Sequence, residues 1–136
     1  MDISVALFDY LSTYAGLTAL LSTRIYPIVL PQDVTLPAIT YQKLSKLTVH
    51  TMGNDPGLGK PRYQFTCWGE TPTSAKAVKL QLQTALQNQR NQLWGGESGV
   101  TVTVIGPENE IDNFELTKAD VELFSVSQDY YVWHDE

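Results

Sequence analysis

The sequence predicts an α+β fold: a mostly antiparallel four-stranded sheet with two main helices packed on one face. Three observations predict it. Apolar residues recur at helical spacing in two stretches. Four other stretches are rich in β-branched and aromatic residues or alternate with period two. The segments follow one another as helix, strand, strand, helix, strand, strand, an order that favours hairpin-like connections and helices layered on one side. With 136 residues, 43% of them hydrophobic and 18% charged, the chain is expected to form a single domain over 1–136 with a core of its own.

The first helix is marked by Ile3, Leu7, Tyr10, Leu11 and Tyr14, which share one face, and Gly16 is placed to cap it. Leu17, Leu20 and Leu21 suggest a short further helical turn. Arg24-Ile25-Tyr26-Pro27 reads as extended, because the residue before a proline avoids the α region. Pro27, Pro31 and Pro37 then make an irregular connection. Residues 37–47 read as the first strand, centred on Ala38-Ile39-Thr40-Tyr41. Residues 62–68 read as the second, with Tyr63, Phe65 and Cys67 alternating against Gln64, Thr66 and Trp68. Between them, about 48–61 is expected to be a long loop, given Gly53, Pro56, Gly57, Gly59 and Pro61.

Thr71-Pro72 opens the second helix, a hydroxyl N-cap followed by proline at the first helical position. Val78, Leu82, Ala85, Leu86 and Gln89 share one, mainly apolar side, and Lys76, Lys79, Gln83, Gln87 and Arg90 lie on the other, polar one. Leu80 falls on that polar side, about 200° from Val78, so Leu80 and Arg90 are candidates for a subunit interface. Gly95-Gly96 closes the region. Val100, Val102 and Val104 mark a third strand that Gly106-Pro107 is expected to end. Residues 121–133 form a fourth, with Phe124, Val126, Tyr130 and Val132 on one face.

Charge is unevenly spread. Residues 1–96 hold eight basic and five acidic side chains, a net of +3, whereas 97–136 hold one basic and ten acidic, a net of −9. An acidic C-terminal third repels phosphate, which argues against a protein that grips nucleic acid. Glu108, Glu110, Asp112 and Glu115 are expected in a solvated acidic loop, a candidate acidic surface. No apolar run approaches the ~20 residues of a membrane span, and no basic residue precedes the first apolar stretch as in a signal peptide. The single cysteine, Cys67, excludes an internal disulfide and fits a reducing cytoplasm.

No catalytic or metal-binding spacing survives inspection. Five residues rather than four separate Gly53 from Gly59-Lys60, and Pro61 stands where a phosphate loop needs Ser or Thr. Gly96-Glu97-Ser98-Gly99 is followed by Val100 where a nucleophile elbow has glycine. His50 and His134 lie far apart, and the four carboxylates lack calcium-loop spacing. No catalytic, cofactor-binding or metal-ligating residue is assigned, and the chain is not expected to be an enzyme.

The succession of an amphipathic N-terminal helix, Ala15-Gly16-Leu17-Thr18-Ala19-Leu20-Leu21, Arg24-Ile25-Tyr26-Pro27 and Leu36-Pro37-Ala38-Ile39-Thr40-Tyr41 resembles the tail completion, or tail terminator, family of long-tailed phages and prophages. Phe65-Thr66-Cys67-Trp68-Gly69 and the helix over 73–89 look like that family's next two segments, while 92–120 match nothing in it. The resemblance implies a structural protein without a cofactor, located in the virion at the head–tail interface and assembled in the host cytoplasm. It implies a hexameric ring that caps the tail tube, stops its polymerisation and meets the major tail tube protein on one side and head–tail connector proteins on the other. DNA would pass through without specific binding, and no membrane is involved. The long loop supplies candidate interaction residues His50, Met52, Asn54, Asp55 and Lys60. Two other roles stay open: a head–tail connector or minor tail protein, and, in a different class, a small-molecule-binding α+β module, which requires a well-formed apolar pocket.

Overall fold

The computed structural model describes residues 3–22, 24–30, 35–51, 54–87, 89–90, 92–94, 100–116 and 122–135, with side chains described outside 45–60, 100, 115–116, 122 and 135. In chain order the elements are α1 (Ile3–Thr13), α2 (Ala15–Leu21), β1 (Ile25–Pro27), β2 (Ala38–Thr51), β3 (Asn54–Gly69), α3 (Pro72–Leu86), β4 (Gln92–Trp94), β5 (Val100–Leu116) and β6 (Glu122–Asp135). The six strands form one curled, half-barrel sheet in the order β1-β2-β3-β6-β5-β4. All neighbours are antiparallel except β1, which runs parallel to β2.

The expected four-stranded antiparallel sheet is therefore corrected to a six-stranded mixed one, with three helices in place of two. The two added strands are short margins. β1 is the Arg24–Pro27 segment itself. It aligns Ile25, Tyr26 and Pro27 with Ile39, Thr40 and Tyr41, and it is fixed where the Ile39 amide donates to the Arg24 carbonyl at 3.0 Å and the Ile28 amide to the Tyr41 carbonyl at 2.8 Å. Arg24 Nε also donates to the Pro37 carbonyl at 2.9 Å. Strands of three residues have too little periodicity to read from sequence; the partner strand specifies them.

Two expected chain breaks are also overturned. The loop expected over about 48–61 is the far end of a long β2–β3 hairpin. Backbone pairing continues from Ala38↔Trp68 to Thr51↔Asn54, with shifts between Lys43 and Ser45 and between Val49 and Thr51. Glycine and proline disfavour a strand locally, but a neighbouring ladder outweighs that preference and the register shifts absorb the misfit. Likewise Gly106-Pro107 does not end the third strand. β5 runs on to Leu116 through a register shift between Ile105 and Asn109, with Gly106 at φ +144°. A side chain on Gly106 would press on the Tyr130 ring, 2.9 Å away, so glycine is there for conformation and for space. The acidic loop expected at 108–115 is consequently strand. Gly16 is no cap either: it lies inside α2, where a side chain would run into Gln81 of α3. Gly95 and Gly96 lie outside the described residues.

Three helices cover one face of the sheet. Leu7, Leu11, Leu17 and Leu21 of α1 and α2, with Val78, Leu82 and Leu86 of α3, pack on Tyr63, Phe65, Cys67, Tyr130 and Val132. The expected start of α3 holds: Thr71 is the N-cap, its hydroxyl accepting from the Ser74 amide at 3.1 Å, with Pro72 following. Phe65 and Tyr130 meet edge to face at 5.7 Å, a favoured aromatic geometry. β4 brings in Trp94, which is buried and stacks on Tyr10 at 4.6 Å. No single helix among the described residues is long and apolar enough to cross a membrane; α1 and α2 pass together only as a pair bent by 78°.

Candidate assembly surface

Because strand side chains alternate, the residues that follow Tyr63, Phe65 and Cys67 point away from the helices. That second face is polar and tied across strands. Arg62 Nη2 donates to Asp129 Oδ2 at 2.6 Å between β3 and β6. The Thr66 and Ser127 hydroxyls meet at 3.1 Å, Trp68 Nε1 donates to Thr40 Oγ1 at 3.0 Å, and Gln42 Nε2 donates to Gln64 Oε1 at 3.4 Å. Asp129 is buried at 4% exposure, and a buried carboxylate needs such a partner. The hydrogen bond with Asp129 raises the Arg62 guanidinium above its ordinary pKa, which stays charged in any case. Sequence reasoning did not single out this row. Its signal was the polar half of each alternation, Gln64-Thr66-Trp68 and Ser125-Ser127-Asp129, whose partners only register reveals.

The helix face holds the chemistry-bearing groups that are least reactive. Cys67 is wholly buried, and that burial pushes its thiol far above the ordinary range. Tyr130 is shifted upward for the same reason, its hydroxyl donating to Gln128 Oε1 at 2.8 Å. Among the described residues no group of three or more His, Cys, Asp or Glu side chains is placed to hold a metal ion.

The expected site residues fall in three places. His50 lies in β2, and Asn54, Asp55 and Lys60 lie in β3, flanking the hairpin tip; their side chains, like Met52 altogether, are outside the described residues. Leu80 sits on α3 at 56% exposure, and Arg90 lies beyond the Gln87 C-cap of that helix, also exposed. Glu108, Glu110, Asp112 and Glu115 belong to β5. Glu110 accepts from Gln128 Nε2 at 2.7 Å and pairs with Lys79 Nζ of α3 at 3.5 Å. Asp112 borders a groove of about 320 Å³ with Pro72, Ala75 and Lys76 of α3 and with Phe114 and Phe124. Those two rings lie 5.1 Å apart, and Phe114 is 55% exposed. The structure thus joins Glu110 and Asp112 to the first turns of α3 and separates them from the hairpin tip.

The sequence profile of the tail completion protein gp17 family matches residues 5–135. The chain belongs to this family. It is accordingly a structural component of the phage virion, located in the tail. The fold recurs in solved structures. A chain of the virion of a native gene transfer agent particle superposes with a TM-score of 0.64 at 14% identity, covering 98% of this chain and 95% of that one. A second solved chain superposes with a TM-score of 0.56 at 15% identity, covering 96% and 92%. No curated protein matches the sequence.

Proposed function

We propose that the chain caps the finished tail tube as a ring, most simply a hexamer, stops tail polymerisation and forms the joint between tail and head. The observation that carries this reading is the tail completion match over 5–135. The fold supports it. A cap that meets the tail tube protein on one side and head–tail connectors on the other needs unlike surfaces, and a chain divided into a net +3 and a net −9 portion supplies them. Carboxylates facing a central channel keep DNA sliding rather than bound. The β2–β3 hairpin, with His50, Asn54, Asp55 and Lys60 towards its far end, is a lever long enough to reach a neighbour or the tube rim, with Met52 of the same stretch a further candidate. Exposed Leu80 and Arg90 on and beyond α3 are further contact points.

The test is negative-stain electron microscopy of lysates from phage lacking this gene. Overlong or unjoined tails beside full heads are expected. Tails of correct length that merely fail to attach would assign the chain to the head-side connector instead. Normal phage would end both readings.

A further inference from the structure

Among the described residues, both margins of the sheet are open over long stretches. β1 flanks only Ile39, Thr40 and Tyr41 of β2, so among the described residues no strand lies beside 42–51 on that side. β4 flanks only Val100, Thr101 and Val102 of β5, and no described strand lies beside 105–116. An unpaired ladder is a template for another strand, and proteins that stay apart keep such edges short or charged and poor in apolar groups. Here the exposed large apolar side chains gather at the margins. Ile28, Val29 and Leu44 lie on the β1–β2 side, and Leu93, Ile105, Ile111 and Phe114 on the β4–β5 side, seven of the eleven that are exposed among the described residues. Pro107 and the shift between Ile105 and Asn109 interrupt β5, yet 109–116 run on without a further break.

The two margins are opposite in charge. β2 carries Lys43 and Lys46 and no carboxylate, whereas β5 carries Glu108, Glu110, Asp112 and Glu115 and no basic residue. Two β5 edges facing one another would set carboxylate against carboxylate, and two β2 edges amine against amine. A β5 edge facing a β2 edge matches charge as well as unpaired backbone. A contact between unlike patches repeats from copy to copy and closes as a ring rather than stopping at a dimer.

We propose that copies of this chain join head to tail through these margins, the β5 edge of one copy accepting the β2 edge of the next as an added strand. Since β2, β3, β6 and β5 alternate in direction, β5 of one copy and β2 of the next run antiparallel when the copies share an orientation. Because β1 covers 39–41, level with 110–112, and β4 covers 100–102, level with Thr48, the next copy is slid along the strands so that its open 42–51 meet 109–116 and the sheet continues across each boundary. Main-chain hydrogen bonds supply the attraction, as in other strand additions, and the charges select the pairing. This inference rests on the ring reading and specifies how the ring is made.

The test uses the full chain. Sedimentation velocity over a concentration series measures self-association, and carbodiimide coupling of mixed isotopically light and heavy copies identifies amide links between copies. Coupling is expected between Lys43 or Lys46 of one copy and Glu108, Asp112 or Glu115 of another. Glu108→Lys is expected to weaken association about tenfold or more, and Lys43→Glu likewise, since like charges then face each other. The two substitutions together are expected to recover most of the loss, which a simple folding defect would not do. Circular dichroism establishes that each variant keeps its fold. Links from the lysines of α3 instead, or an assembly indifferent to both reversals, would overturn the edge pairing while leaving a ring built on another surface. A chain that stays monomeric to about millimolar concentration, weaker than ~4 kcal/mol of association, would also overturn it. So would association of the β5 edge with purified tail tube protein but not with the β2 edge of a second copy. Normal tails from phage lacking the gene would sink the terminator reading independently of these measurements.

Discussion

Phe65 and Thr66 are neighbours on one strand and live in different environments. Phe65 is wholly buried under the helices, among Tyr63, Cys67 and Tyr130, whereas Thr66 stands on the helix-free face between Thr40 and Ser127, its hydroxyl meeting that of Ser127. Each face is internally matched, one by apolar packing and the other by cross-strand polar pairs. The difference shows which face holds the monomer together: apolar burial of an aromatic ring stabilises by several times what a hydroxyl pair contributes.

Substitutions can break or sharpen that contrast. The largest effect is expected from Phe65→Ala, which leaves a cavity beneath the helices and costs about 3–5 kcal/mol, read as a shift in the denaturant midpoint. Gly106→Ala comes next, at roughly 1–3 kcal/mol, because it strains the backbone and crowds Tyr130 at once. An unchanged midpoint for this variant would mean that the β5 irregularity relaxes freely.

Alkaline pH probes the covered face. The Cys67 thiol is raised when folded, so the stability that goes with a neutral thiol is complete below its unfolded pKa, about 8.5, and is lost as pH climbs above it. The expected slope is about 1.4 kcal/mol per pH unit, added to by Tyr130, which is shifted in the same direction. Cys67→Ala should remove its part of the slope in urea melts at pH 7 and pH 10. On the open face, Thr66→Val is expected to cost only about 1 kcal/mol, and a cost equal to that of Phe65→Ala would erase the distinction between the faces. Leu80→Ser should change stability by less than about 0.5 kcal/mol; its effect, if Leu80 touches a neighbouring copy, belongs to assembly and not to folding.

How much was legible in the sequence follows from where the information sits. α3 was readable because cap, proline and apolar stripe lie within one contiguous stretch. The cores of β2, β3 and β6 were readable from alternation. β1 was read as extended from Pro27 but without its pairing, and β4 was not read, because three residues carry no period and their partners lie outside the local window. The turns expected in 48–61 and at Gly106-Pro107 failed for a shared reason: glycine and proline report local preference, while a strand is fixed by its neighbour. The carboxylates at 108–115 were expected in a solvated loop, but their place on a strand, and the Glu110–Lys79 pair with α3, depend on β5 continuing past proline. The Arg62–Asp129 pair spans 67 positions and leaves no trace in spacing.

A particle that leaves its host passes from a reducing medium into air-saturated water and has no means of repairing its parts. Each copy of this chain carries one sulfhydryl, closed off beneath the helices. Out of reach of oxidants and of other thiols, it can neither be converted to an acid nor form a cross-link while the core stays closed. The lifetime of this thiol is therefore set by how rarely the core opens.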